Sequence, residues 1–97
     1  MKRDQVIHIL AEQRCELTQR FGVQSLALFG SIARDEATLT SDVDLLVEFN
    51  RPIGLFGLSA LQNHLEALFG CKVDLVTPDS LKPRFKEHVL REAVHVA

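Results

Sequence analysis

Two aspartates one residue apart, Asp42 and Asp44, stand at the head of the apolar run Leu45-Leu46-Val47. The run reads as a buried strand. Alternation along a strand sends residues i and i+2 to one face, so both carboxylates point the same way, their Cα atoms about 7 Å apart. Val43 turns into the opposite layer. Two like charges entering a buried strand cost stability unless something positive lies between them. The chain must therefore fold into a sheet with one buried face and, at this strand end, a place for positive charge.

The rest of the sequence supplies that sheet. From Arg3 to Phe21 the spacing predicts an amphipathic helix with Val6, Leu10, Leu17 and Phe21 on one face and Glu12 and Glu16 opposite. Gly22 stops it. Val23 to Phe29 reads as a strand ending at Gly30. Residues 31–41 are polar, with a short helical turn expected over Ile32 to Glu36. Asp42 to Phe49 is the second strand, closed by Asn50-Arg51-Pro52. In GLFGLSALQNHLEALFG, Leu58, Leu61, Leu65 and Leu68 fall at helical spacing, ending on Gly70. Leu55, Phe56 and Phe69 around this helix are expected in the core.

Lys72 to Val76 forms a third strand. Ser80 or Asp79 caps a last helix in which Leu81, Phe85 and Val89 recur, with Pro83 tolerated in its first turn. Val94-His95-Val96 adds a short final strand. The expected class is α+β, in the order α-β-β-α-β-α(-β): a small mixed sheet with helices against one face. At 97 residues, positions 1–97 are expected to form a single domain.

Bulk charge excludes several functions. The formal net charge is -2, so no broad attraction to nucleic acid or anionic membrane is expected. No apolar run approaches the roughly 20 residues that span a bilayer. The basic start is followed by an apolar stretch broken at His8 and Glu12, unlike a signal peptide. Cys15 and Cys71 lack a C-x-x-C partner, and His8, His64, His88 and His95 have no zinc spacing. Reduced thiols and a cytoplasmic location are expected. Lys82, Arg84, Lys86 and Arg91 make the last helix basic, which reads as a solvated face.

The candidate chemistry lies in the polar turn and the strands beside it. Carboxylates placed like Asp42 and Asp44 can share a pair of divalent ions, which in two-metal sites stand roughly 3.5–4 Å apart. Magnesium suits such oxygen ligands, usually taking one or two carboxylates plus phosphate oxygens. Asp74, in KVDLV, taken alone is a strand-end acid able to pair with Lys72. Beside a D-x-D strand it becomes a third metal-site acid. Gly30 permits close backbone approach, Ser31 can donate to a phosphate oxygen, and Arg34 can neutralise further phosphate charge. Strand, Gly-Ser turn and basic residue together suit a nucleoside triphosphate, with the missing positive charge brought as magnesium.

Gly30-Ser31, ten residues, then Asp42-Val43-Asp44 resembles the G-S-x10-D-x-D signature of the polymerase-β-like nucleotidyltransferase superfamily. The string GSIARDEATLTSDVDLLVEF resembles its smallest branch, the minimal nucleotidyltransferase (MNT) antitoxins paired with HEPN-domain toxins. The resemblance covers nearly the whole chain. It implies that Gly30 and Ser31 contact the β- and γ-phosphates of ATP and that Asp42 and Asp44 ligate two magnesium ions. It further implies that Asp74 assists the attacking hydroxyl as metal ligand or general base. The implied reaction moves AMP from ATP to a tyrosine of a HEPN RNase toxin, blocking the toxin's RNase site, in a hetero-oligomer of the two proteins. The loop here reads Ala33-Arg34-Asp35-Glu36, with two acids where relatives often carry glycine and one acid. Asp35 weakens local attraction for a triphosphate, which bears on the role of Arg34.

Larger enzymes of this type add a helical domain that presents the acceptor. No residues remain for one here, so the acceptor is expected from a partner. The sequence contains no tyrosine, which excludes self-modification on that residue. Two other readings stand beside adenylyl transfer to a protein. One is a non-catalytic antitoxin that masks the toxin by binding; the other is a small-molecule adenylyltransferase of the aminoglycoside type.

Overall fold

The structure, a computed structural model, describes residues 2–34 and 42–96. The expected turn beyond Arg34, with Asp35 and Glu36, lies outside the described residues. The elements follow in the order α1 (Arg3–Phe21), β1 (Val23–Phe29), a one-turn α2 (Gly30–Ala33), β2 (Val43–Phe49), α3 (Leu55–Phe69) and β3 (Val73–Val76). A 3-10 turn (Pro78–Ser80), α4 (Pro83–Glu92) and β4 (Val94–His95) complete the chain.

The strands form one mixed sheet in the order β3-β2-β1-β4. β2 runs antiparallel to β1 and parallel to β3, while β4 adds antiparallel to the other edge of β1. The first pair joins strands consecutive in the chain. The second needs the α3 crossover, because parallel neighbours cannot be joined by a tight turn.

On one face α1 and α3 cover the sheet. Val6, Leu10, Leu17 and Phe21 meet Leu26 and Leu28 of β1, Val43, Leu45 and Val47 of β2, and Leu61, Leu65 and Phe69 of α3. Each buried leucine there contributes roughly 2 kcal/mol through surface removed from water. A bulge between Val23 and Ser25 lets Val23 join Leu26 and Leu28 on this face despite their uneven spacing.

The other face is covered too. Ala27, Leu46 and Val89 form a second, smaller cluster with Phe29, Val76, Leu81 and Ala93 around it. The expectation of helices against one face is therefore corrected: α4 lies opposite α1 and α3. The physical reason is legible in β2, whose Leu45, Leu46 and Val47 are all buried. A strand apolar on both faces needs a cover on both.

Boundaries shift modestly. β2 and β3 begin at Val43 and Val73, one residue later than expected, and α2 begins at Gly30 rather than Ile32. The last helix starts at Pro83, not after Asp79 or Ser80. Those residues instead close the 3-10 turn, in which Ser80 Oγ donates to the Thr77 carbonyl at 2.8 Å. Proline suits the first helical position because its missing N–H would have no partner there. Leu55 and Phe56, expected in the core, are 83% and 94% exposed, whereas Phe69 is buried. The helix turns its first two residues outward; Leu58 packs against the core partly buried, and Leu61, Leu65 and Phe69 are buried in it.

Candidate active site

The sheet brings the acids together by register. Asp44 on β2 stands opposite Asp74 on the parallel β3, as Val43 does Val73 and Leu46 does Val76. Neighbouring strands lie about 4.8 Å apart, so the two carboxylates rise side by side. Both share their face with Leu46 and Val76, hence with α4. Asp42 lies one residue ahead of β2, half-buried. Its charge acts on Asp44.

Those neighbours set the protonation of Asp44. Its pKa rises from 3.8 to about 6, first through burial, then through the Asp74 charge and a side-chain hydrogen bond with Asp74, then through Asp42. Arg34 acts in the opposite direction. A carboxyl that holds its proton to such a pH is one whose ionised form lacks compensation. Oxygen-only donors under mutual repulsion fit a hard divalent cation such as magnesium better than zinc. Among the described residues no three His, Cys, Asp or Glu side chains close a metal shell unaided. Magnesium requires none, since water and phosphate oxygens usually complete its sphere.

The polar turn reaches the same place. β1 runs against β2 so that Phe29 pairs with Asp44, and the next residue is Gly30. Gly30 has φ +79°, in the left-handed region. A Cβ added to it would overlap Asp44 Oδ2 and come within 3.1 Å of Asp44 Cγ. Glycine is required here twice over, by its conformation and by the carboxylate packed against it. Ser31 follows in α2; its hydroxyl lies outside the described side chains. Arg34 caps that turn, its backbone N–H donating to the Gly30 carbonyl at 3.2 Å. Gly30, Asp42, Asp44, Asp74 and Arg34 thus meet at one end of the central strands.

Supporting residues carry no motif. On α3, Gln62 Nε2 donates to the Val73 carbonyl at 2.9 Å, and Glu66 Oε2 accepts from the Val73 N–H at 3.0 Å. These side chains satisfy the open edge of β3 one residue before Asp74. On α4, Glu92 takes Arg34 Nη1 at 2.9 Å. The only sequence signal was their helical spacing, which does not say what a polar side chain meets. Two of the histidines have other partners: His8 pairs with Glu12, and His64 packs against the Phe21 ring.

A cavity of about 560 Å³ opens at the other end of β2 and β3, lined by Glu48, Asn50, Arg51, Ile53, Thr77 and Asp79 among others. It contains none of the acids or turn residues. Its volume reflects a gap beyond the strand ends, away from the acids. Convergent charge, not cavity size, locates the chemistry.

The chain as a whole is similar to known proteins. The family model for the nucleotidyltransferase domain covers residues 10–96. Over 93 residues the chain is 44% identical to protein adenylyltransferase MntA of Thermococcus cleftensis, covering 96% of this chain and 94% of that protein. A solved minimal-nucleotidyltransferase structure superposes with a TM-score of 0.81 at 39% identity, covering 97% of this chain and 95% of that one. A complex of tri-AMPylated Shewanella oneidensis HEPN toxin with MNT antitoxin matches with a TM-score of 0.67, covering 94% of this chain and 71% of that one. At 18% identity that last likeness speaks for the fold alone.

Proposed function

The chain belongs to the nucleotidyltransferase-domain family, and from that premise we propose that it is an antitoxin acting as a magnesium-dependent protein adenylyltransferase. It moves AMP from ATP to a hydroxyl, that of a tyrosine, on a HEPN-domain RNase partner. The observation that carries this reading is the register of Asp44 with Asp74 beside a glycine turn that cannot accept a side chain. The relative named protein adenylyltransferase supports the choice of AMP and of a protein acceptor. The same fold occurs as the MNT antitoxin in a complex with an AMPylated HEPN toxin, which makes a HEPN protein the partner to test.

In this reaction the acceptor oxygen attacks the α-phosphorus, the bond from that phosphorus to the bridging oxygen breaks, and pyrophosphate leaves. Asp42, Asp44 and Asp74 would hold two magnesium ions. When bound, these supply charge that offsets the triphosphate and favours the ionised acceptor. In this scheme Asp74 assists the attacking hydroxyl, as a metal ligand or as the base that takes its proton. Gly30 lets the backbone approach the phosphates, the Ser31 hydroxyl donates to one, and Arg34 offsets their charge. Positioning and charge do most of the work, as in phosphoryl transfer generally.

The test is incubation with a candidate HEPN-domain partner, magnesium and ATP, followed by intact-protein mass spectrometry. The partner is expected to gain the mass of one or more AMP groups, and Asp42→Asn is expected to abolish the gain while preserving the fold. Binding of the partner with its mass unchanged would make this chain a masking antitoxin instead. AMP found on an aminoglycoside and not on the partner would make it a small-molecule enzyme.

A further inference from the structure

Glu92 makes a contact that neither the acid cluster nor the motifs account for. Its carboxylate lies between two nitrogen-bearing side chains: Oε2 accepts from Arg34 Nη1 at 2.9 Å, and Oε1 faces His88 Nε2 at 3.3 Å. The ion pairs Arg20–Glu16 and Arg91–Glu87 lie within single helices at i,i+4 spacing, both partners well exposed. Arg34 and Glu92 are 58 residues apart, and the Glu92 side chain is only 25% exposed. Local surface pairs contribute little. A long-range pair with one shielded partner instead fixes where a side chain lies.

The backbone under Arg34 is pinned as well. Arg3 Nη1 donates to the Ala33 carbonyl at 3.4 Å, and the Arg34 N–H closes the turn onto Gly30. Turn, arginine and terminal helix are thus tied into one unit on the face where Asp44 and Asp74 emerge. A guanidinium presents five N–H donors in a rigid planar fork. An acceptor holding one of its nitrogens sets the plane of all the others. His88, on the other carboxylate oxygen, restricts Glu92 in turn.

We propose that Glu92 is a positioning residue for nucleotide binding: by holding Nη1 of Arg34 it orients the guanidinium toward the polyphosphate. This rests on the reading of Arg34 as a phosphate contact given above. A pre-oriented side chain spares the nucleotide the cost of ordering it. Glu92 itself touches no phosphate. Its removal should act only through Arg34, and only on ligands that carry the outer phosphates.

The experiment is a double-mutant cycle read by calorimetric titration with ATP and with AMP, both in magnesium, on the full chain. Glu92→Ala is expected to weaken ATP binding about tenfold and to leave AMP unchanged. In an Arg34→Ala background it is expected to have no further effect on ATP. Equal weakening in both backgrounds, or of AMP as much as ATP, would overturn the assignment by showing a general structural role. Glu92→Gln, which keeps an acceptor of the same shape, is expected to lose less than Glu92→Ala and provides the same cycle if the alanine variant folds poorly. Wild-type protein without ATP affinity, or an Arg34→Ala variant binding ATP normally, would instead overturn the phosphate reading and this assignment with it.

Discussion

Asp44 and Asp74 stand level on adjacent parallel strands, and the Asp74 charge adds to burial in holding the Asp44 carboxyl toward its neutral form. In the metal-free protein this pair is a liability near neutral pH. A divalent cation would make it an asset.

Metal-free stability should therefore fall as pH rises. The folded-state pKa of Asp44 lies at about 6, above its ordinary value of 3.8. Between those values the folded protein holds a proton that the unfolded chain has released. Its contribution is complete below about pH 4 and is lost as pH passes 6. Because Asp44 is partly open to solvent, the effect is discounted to about 1 kcal/mol. Urea unfolding in chelator at pH 5 and pH 7.5 measures it, and Asp44→Asn should flatten the difference.

Gly30→Ala should damage the site more than the fold. The methyl would overlap the Asp44 carboxylate, and alanine at φ +79° is strained. A cost of about 1–2 kcal/mol is expected, lowering Tm by roughly 5–10 °C. Transfer should be lost even at temperatures where circular dichroism shows the variant folded.

Glu66→Ala leaves the Val73 N–H without its acceptor. The expected loss is about 1–2 kcal/mol, with faster amide exchange at Val73 and Asp74 than elsewhere in the sheet. Glu66→Gln retains an oxygen acceptor and should recover most of the protection. Transfer should fall in proportion to the loosening of β3, since Asp74 follows Val73.

Two apolar residues of α3 should respond oppositely. Leu65 is fully buried, and Leu65→Ala is expected to cost about 2–5 kcal/mol in denaturant unfolding. Phe56 is 94% exposed, and Phe56→Ser should change stability by less than about 0.5 kcal/mol.

Much of this molecule was legible from local pattern. Val6, Leu10, Leu17 and Phe21 announced the buried face of α1, and Gly22 its end, because periodicity and a left-handed cap are written within one element. Val23–Phe29 was bounded as found. Leu55 and Phe56 were misread because hydrophobicity shows what a side chain would gain by burial, not whether a neighbour arrives. The start of α4 was misplaced because Thr77-Pro78-Asp79-Ser80 satisfies its polar groups within its own turn.

The sequence by itself determined the acids, the glycine turn and the helices and strands that carry them, since spacing and alternation act over a few residues. Only the tertiary structure decided that β3 lies parallel beside β2 with Asp74 level with Asp44, that α4 covers the second face, and that Glu92 reaches Arg34. Those relations join residues tens of positions apart. Strand register and helix docking create them by burying both faces of β2 at once, a requirement that no short window of sequence contains.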